Sequence, residues 1–314
     1  MTIEAPTDEA IDSAVKTLQN GGIVAFPTET VYGLGCDTFN TNAIDLVYKT
    51  KGRPINNPMI AHIQNVSFVN ELTDDWDDRC ESLAREFWPG PLTIVLPKKK
   101  SVPKSACGGR ETIAIRCPKH IVAQKLLKQF GHPVSAPSAN VSGYISPTTA
   151  QHVEDAFGFC VNTLDGGPCE DGIESTVLSL VGATEILRPG TITRDEIESV
   201  IGIISNQRQT SQTDSPGTSL QHYAPNTPTR LVSTNEIIKT QDNTCATIVL
   251  FGIPIKSKKN IQMPTSPKEY GAKMYGALRE LDDIGASVIF IEKPPPTPSW
   301  LAIQDRLSRC AAGS

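Results

Sequence analysis

Apolar residues recur at helical spacing near the start of the chain. Ile11, Ala14, Val15 and Leu18 share one face and Asn20-Gly21-Gly22 is a stop signal, which predicts a helix over 7–20. A short apolar run predicts a strand over 23–26. Ile44, Val47 and Tyr48 at helical spacing predict a helix over 41–49, with Thr41 as its N-cap. A strand follows over 59–63, then a helix over 76–87 that Trp88-Pro89-Gly90-Pro91 must end. Further strands are expected over 92–96, 112–116, near Val134 and over 176–181, with a helix over 120–130. The order does not repeat as strand–helix–strand, so the pattern predicts a mixed α/β fold rather than a regular doubly wound sheet.

From 205 to 214 the chain is rich in Gln, Ser and Thr, which reads as a linker. Beyond it, strands are expected over 247–251 and 287–291 and helices over 267–283 and 299–309, enough for a small α/β unit. The expected organisation is a first domain over 1–204, a linker over 205–228 and a second domain over 229–314.

A net charge of −5 over 314 residues is a poor match for generic nucleic-acid binding, which uses a basic face. The eight cysteines contain no Cys-x-x-Cys pair, so zinc-ribbon spacing is absent and reduced thiols are expected. The first twelve residues carry acids where a leader would be basic and apolar, and no apolar run approaches the ~20 residues of a membrane span. A cytosolic protein is expected.

Several segments carry candidate chemistry. Pro27-Thr28-Glu29-Thr30-Val31-Tyr32-Gly33-Leu34-Gly35 is dense in hydroxyls and glycines. It suits either a polar small molecule held against backbone or plain turn chemistry. Lys49-Thr50-Lys51-Gly52-Arg53-Pro54-Ile55-Asn56-Asn57-Pro58 places cations at a helix end and beyond. They suit polyphosphate binding, or stabilisation of the helix dipole. Ser135-Ala136-Pro137-Ser138-Ala139-Asn140 runs on to Ser146-Pro147-Thr148, and its small polar residues let a ligand approach the backbone or simply form a turn. Arg116 ends an apolar strand and needs a partner there. Gly172-Ile173-Glu174-Ser175-Thr176 and Arg188-Pro189-Gly190 flank predicted strands, and His62 has no metal-ligand neighbour in sequence. There is no P-loop, no Gly-x-Gly-x-x-Gly after a strand and no nucleophile elbow. An enzyme built this way works by positioning and charge stabilisation.

Together these segments resemble the YrdC-domain L-threonylcarbamoyladenylate synthases of the long, two-domain type. The resemblance rests on Lys51-Gly52-Arg53, Ser138-Ala139-Asn140, Pro27 to Leu34, Gly172 to Thr176, and a linker motif of Ser215-Pro216-Gly217 with His222-Tyr223-Ala224-Pro225. Thr218-Ser219-Leu220-Gln221 departs from the more basic or aromatic run of many members. The resemblance implies a twisted mixed sheet with a concave, positive face, plus a small α/β domain behind a linker that closes as a lid. It implies that L-threonine, bicarbonate or carbon dioxide, and ATP become threonylcarbamoyl-AMP and pyrophosphate. The product would pass to a tRNA-modifying threonylcarbamoyl transferase, with no membrane and no stable nucleic-acid partner. By the same resemblance Thr30, His62, Arg116, Ala136 and Ser175 would line a threonine site. Arg53, Asn57, Thr112, Ser138, Ser146, Arg188 and Tyr223 would meet ATP; Lys51, Arg53, Ser138 and Asn140 would be the catalytic set, Lys51 and Asn140 supporting phosphates or fixing their loop. Magnesium would arrive with ATP, and no protein side chain is assigned to it. A double-stranded RNA-binding module and an enzyme transferring carbamoyl from carbamoyl phosphate are the alternatives.

Overall fold

The computed structural model describes residues 3–205, 222–239, 242–251 and 255–312. The stretch 206–214, Ser215-Pro216-Gly217 and Thr218-Ser219-Leu220-Gln221 lie outside these residues, while His222 to Pro225 lie within them. The chain forms two compact units. The larger takes the described residues of 1–142, 147–170 and 174–218, and the smaller takes 143–146, 171–173 and those from 219 onward.

In the larger unit the elements run β1 (Ile3–Glu4), α1 (Asp8–Gln19), β2 (Val24–Phe26), β3 (Gly33–Asp37), α2 (Thr41–Lys51), β4 (Ile60–His62), α3 (Asp78–Phe87), β5 (Leu92–Pro97) and β6 (Thr112–Arg116). They continue with α4 (Ile121–Phe130), β7 (Val134–Ala136), α5 (Ala150–Phe157), β8 (Asn162–Leu164), β9 (Thr176–Ser179), β10 (Glu185–Arg188) and α6 (Arg194–Ile201). Local chemistry sets the helix limits. The Thr7 hydroxyl accepts from Ala10 N at 3.2 Å to start α1, a cap worth about 1 kcal/mol. Asn40, not Thr41, caps α2, its amide oxygen accepting from Ala43 N at 3.1 Å. Gly52, at φ 61°, ends that helix in the left-handed region that glycine enters without strain.

The strands form a ten-stranded mixed sheet in the order β1-β8-β2-β3-β7-β4-β6-β5-β9-β10. One face packs on α2, α3 and α6 through Leu34, Cys36, Ala61, Ile94, Ile113, Ile115 and Leu178, among others. On the other face α1 and α4 cover Val24, Phe26, Val134 and Ala136. Farther along that second face Ile60, Val95, Ala114, Val177 and Leu187 make a small separate cluster.

Gly33-Leu34-Gly35, expected as part of a ligand-holding bend, is strand β3. A Cβ on Gly35 would lie 2.7 Å from both the Phe26 ring and Val134, so the glycine makes room for a ring crossing the strand. The bend itself ends at Tyr32. Thr28 organises it: its hydroxyl donates to Val31 O at 2.6 Å and accepts from the backbone N–H of Thr30 and Val31.

The smaller unit is richer than its sequence suggests. It has β11 (Thr229–Val232), α7 (Thr234–Lys239), β12 (Asp242–Val249), β13 (Ser257–Gln262), α8 (Pro267–Asp283), β14 (Ile289–Glu292) and α9 (Leu301–Ala311). Its sheet is wholly parallel, in the order β11-β14-β12-β13. The expected pair of strands is thus corrected to four. β11 is short, and β13 is an edge strand bearing Lys258 and Lys259, a lysine-rich edge of the kind that resists pairing with other chains but hides the apolar signal of a strand.

Candidate active site

The site starts from two parallel neighbours, β4 and β6, whose register pairs Ile60 with Ala114 and His62 with Arg116. Asn57 lies just before β4 and Thr112 opens β6; His62 and Arg116 close the two strands. Asn57 and Thr112, expected with the nucleotide, therefore sit at the opposite end of this strand pair from His62 and Arg116, expected with threonine. Four strand steps from Thr112 to Arg116 span about 13 Å.

At the far end Arg116 is buried and held from three sides. Its Nη1 donates to Thr30 Oγ1 at 2.8 Å, its Nε to Gly90 O at 3.3 Å, and its Nη2 lies 2.7 Å from Glu29 Oε1. Glu29 Oε2 accepts from Lys119 N at 3.0 Å. Burial alone would raise the Glu29 carboxyl, but the Arg116 charge and these hydrogen bonds more than reverse it and hold the group below the usual carboxylate range. His62 shares the end. Its ring meets Phe26 edge-on at 5.7 Å, and Nδ1 is 3.1 Å from Ile60 O. Burial, then the Arg116 charge, push the imidazole down to about 3, so it is neutral at pH 7. Ala136, buried on the neighbouring strand β7, pairs with Ile60 and so lies toward the other end of β4.

Ser175 precedes β9 at the Arg116 end. Arg188 Nε and Nη2 donate to its carbonyl at 3.1 and 3.0 Å, and Nη2 to its hydroxyl at 3.2 Å. Arg188, expected with ATP, thus lies beside an expected threonine residue.

At the near end Arg53 Nη2 donates to Asn57 Oδ1 at 2.6 Å and to Pro58 O at 2.8 Å, and Nε to Asn57 O at 3.2 Å. Tyr48 Oη donates to Asn57 O and Ser105 O at 2.9 and 3.1 Å, fixing the same loop. Ser138 bridges to Gly33 and is half-buried.

Lys51 requires a correction. Beyond the helix expected over 41–49, it is read either as supporting phosphates or as fixing its loop. It is instead the last residue of α2, 1% exposed, with Nζ donating to Ser138 O and Asn140 O. Ser142 N donates back to Lys51 O at 2.9 Å. The alternative role, fixing the loop, is the one its contacts serve. Burial, then the Arg53 charge, lower the Lys51 amine well below its ordinary value. The Asn140 amide donates to Val141 O at 2.8 Å and so shapes the same turn.

Ser146 and Tyr223 belong to the smaller unit. Ser146 is fully buried. Tyr223 is 1% exposed, stacked 5.8 Å from Tyr275 with the Arg306 guanidinium 5.4 Å over its ring. Its φ of 62° is uncommon for an aromatic residue. Glu29, Thr28 and Thr93 were not singled out from sequence. Glu29 was readable as the one carboxylate in its motif, and Thr93 as the one hydroxyl in an apolar strand. Among the described residues no group of three or more His, Cys, Asp and Glu side chains could hold a metal ion, and no helix is long and apolar enough to cross a membrane.

Comparison with known proteins identifies the family. The family described as "Telomere recombination" matches residues 16–190, and the "Threonylcarbamoyl-AMP synthase, C-terminal domain" matches 192–312. A threonylcarbamoyl-AMP synthase of Bacillus subtilis is 37% identical over 98% of this chain and 94% of its own length. One from Pyrococcus abyssi is 36% identical over 94% and 92%. The crystal structure of Pyrococcus abyssi Sua5 complexed with L-threonine superposes with a TM-score of 0.90 at 34% identity, covering 99% of this chain and 96% of that one. Similar along both units to such proteins, the chain belongs to the two-domain threonylcarbamoyl-AMP synthase family.

Proposed function

We propose that this chain condenses L-threonine, bicarbonate or carbon dioxide, and ATP into threonylcarbamoyl-AMP and pyrophosphate, the first step of threonylcarbamoyladenosine formation on tRNA. The observation that carries the reading is the pair β4 and β6, with candidate nucleotide residues at their starts and Arg116 and His62 at their ends. Threonine's amine adds to carbon dioxide to form a carbamate and releases a proton. A carbamate oxygen attacks the α-phosphorus of ATP, the bond to the bridging oxygen breaks, and pyrophosphate leaves with that oxygen. No covalent enzyme intermediate is required, in keeping with a site of pre-positioned donors and cations.

Arg116, oriented by Glu29 and Thr30, takes the threonine carboxylate, and neutral His62, Ala136 and Ser175 shape the pocket. Arg53, Asn57, Thr112 and Ser138 hold the nucleotide. Arg188, beside Ser175, stabilises charge where carbamate meets α-phosphate. Lys51 and Asn140 set the Ser138 loop. Magnesium would arrive with ATP and would offset phosphate charge in the displacement, with no side chain of this chain assigned to hold it. The enzyme works in the cytoplasm and passes its product to a tRNA-modifying transferase.

The test is pyrophosphate release with ATP and bicarbonate, each amino acid added in turn, and mass detection of the adenylate. Release that depends on threonine supports the reading. Release without threonine, or turnover of carbamoyl phosphate in its place, would overturn it.

A further inference from the structure

Strand β5 reads Leu92-Thr93-Ile94-Val95-Leu96-Pro97, and Thr93 is its one hydroxyl, with no exposed surface. Leu92, Ile94 and Leu96 belong to the large core on one face of the sheet, while Val95 packs in the small cluster on the other. Strand alternation puts Thr93 on the face of Val95. Ile94 pairs with Ile115 in an antiparallel register, so Thr93, one step along, stands opposite Arg116. His62, Arg116 and Thr93 therefore form one row across β4, β6 and β5.

A valine would fill this volume without burying a hydroxyl, which needs a partner to offset its desolvation. The partner is Ser175: Thr93 Oγ1 and Ser175 Oγ are 2.7 Å apart. The Ser175 oxygen also accepts from Arg188 Nη2 at 3.2 Å. A guanidinium only donates, so one acceptor position of that oxygen is taken by Arg188. When Thr93 donates into the second, the Ser175 proton is left for a further acceptor.

We propose that Thr93 is a positioning residue for the reaction: it holds the Ser175 hydroxyl so that its proton points to an anionic oxygen of the bound amino acid or its carbamate. This rests on the threonine and ATP reaction proposed above and on Ser175 touching threonine. The link Thr93–Ser175–Arg188 then ties the orientation of the amino acid to the cation that meets the α-phosphate.

The test compares wild type, Thr93→Val and Thr93→Ser by threonine-dependent pyrophosphate release, varying threonine and ATP separately, with calorimetric L-threonine affinity and thermal midpoints alongside. Thr93→Val should raise the threonine KM and the calorimetric Kd about tenfold, the size of one lost buried hydrogen bond. The ATP KM and the midpoint should stay near wild type, and Thr93→Ser should restore threonine affinity. Unchanged threonine affinity in Thr93→Val would overturn the proposal. So would a parallel loss of threonine affinity, ATP affinity and midpoint that Thr93→Ser fails to reverse. A wild type that binds threonine but releases no pyrophosphate would overturn the reaction while the calorimetric comparison still tests Thr93. A wild type that does not bind threonine would overturn both.

Discussion

The Arg116 guanidinium and the Glu29 carboxylate lie 2.7 Å apart, each about 4% exposed, so the cation proposed to take a substrate carboxylate already has an anion of its own. The pair does not cancel the site. Glu29 fixes one edge of the guanidinium and Thr30 a second nitrogen, which sets the direction in which the remaining charge faces. Breaking one partner of a buried pair costs far more than an exposed pair is worth, because it strands a charge away from water. Glu29→Gln should therefore lower stability by about 3–5 kcal/mol. A cycle of Glu29→Gln, Arg116→Gln and the double variant in urea should show strong coupling. Additive single effects would show that the two side chains do not act as a unit.

The same end should make the protein acid-sensitive. His62 is held near 3 against an ordinary 6.5, so below pH 6.5 the unfolded chain takes up a proton that the native one refuses. Glu29 is held below its ordinary 4.5, and its stabilisation is lost as pH falls through that lower native value. Both signs agree: stability falls on acidification, first through His62 and then through Glu29. Urea midpoints at a series of pH values should show this, and His62→Gln should flatten the limb between 6.5 and 4.5. An unchanged limb would place the acid sensitivity elsewhere.

Lys51 and Arg53 should separate. Lys51→Ala leaves two inward carbonyls, Ser138 O and Asn140 O, without their donor. It should cost about 1–3 kcal/mol of stability along with activity. Arg53→Ala should reduce pyrophosphate release about 10²- to 10³-fold with a smaller change in midpoint. Equal stability losses in the two would contradict this division of labour.

Tyr223→Ala should destabilise the protein without any ligand. A ring 1% exposed, stacked on Tyr275 and covered by Arg306, is core, and its removal should cost about 3–5 kcal/mol. The position just after a linker suggests by itself a side chain free to move with little effect on the unliganded fold; its burial reverses that expectation. Calorimetric unfolding of the unliganded variant decides the matter.

Substrate choice should be asymmetric. A pocket that pairs the threonine hydroxyl should reject valine by up to about 10⁴, because a buried polar group is then left unpaired. Serine lacks only a methyl, worth about 1–3 kcal/mol. Pyrophosphate release with each amino acid reads both ratios, and equal use of valine and threonine would exclude a hydroxyl-pairing pocket.

Helix α1, the strands around Ile60 and Thr112, and helix α8 were legible because period, caps and breakers all agree within one short window. The candidate residues were legible as motif members for the same reason: each segment keeps its own small vocabulary of hydroxyls, glycines and cations. What local pattern could not supply was partnership across the sheet. Gly33 and Gly35 look like a bend until the Phe26 ring is laid across them. Lys51 looks like a phosphate ligand until its amine is found on two carbonyls some ninety residues away in sequence. The strands of the smaller unit escaped notice where a lysine-bearing edge carries no apolar run. Sequence alone determined which groups the protein has to work with and the elements that carry them, since propensity and periodicity act over a few neighbours. Tertiary structure alone decided which of those groups face each other, because strand register brings together side chains far apart in the chain, and burial then decides which charges must be paired and which hydroxyls must be bonded.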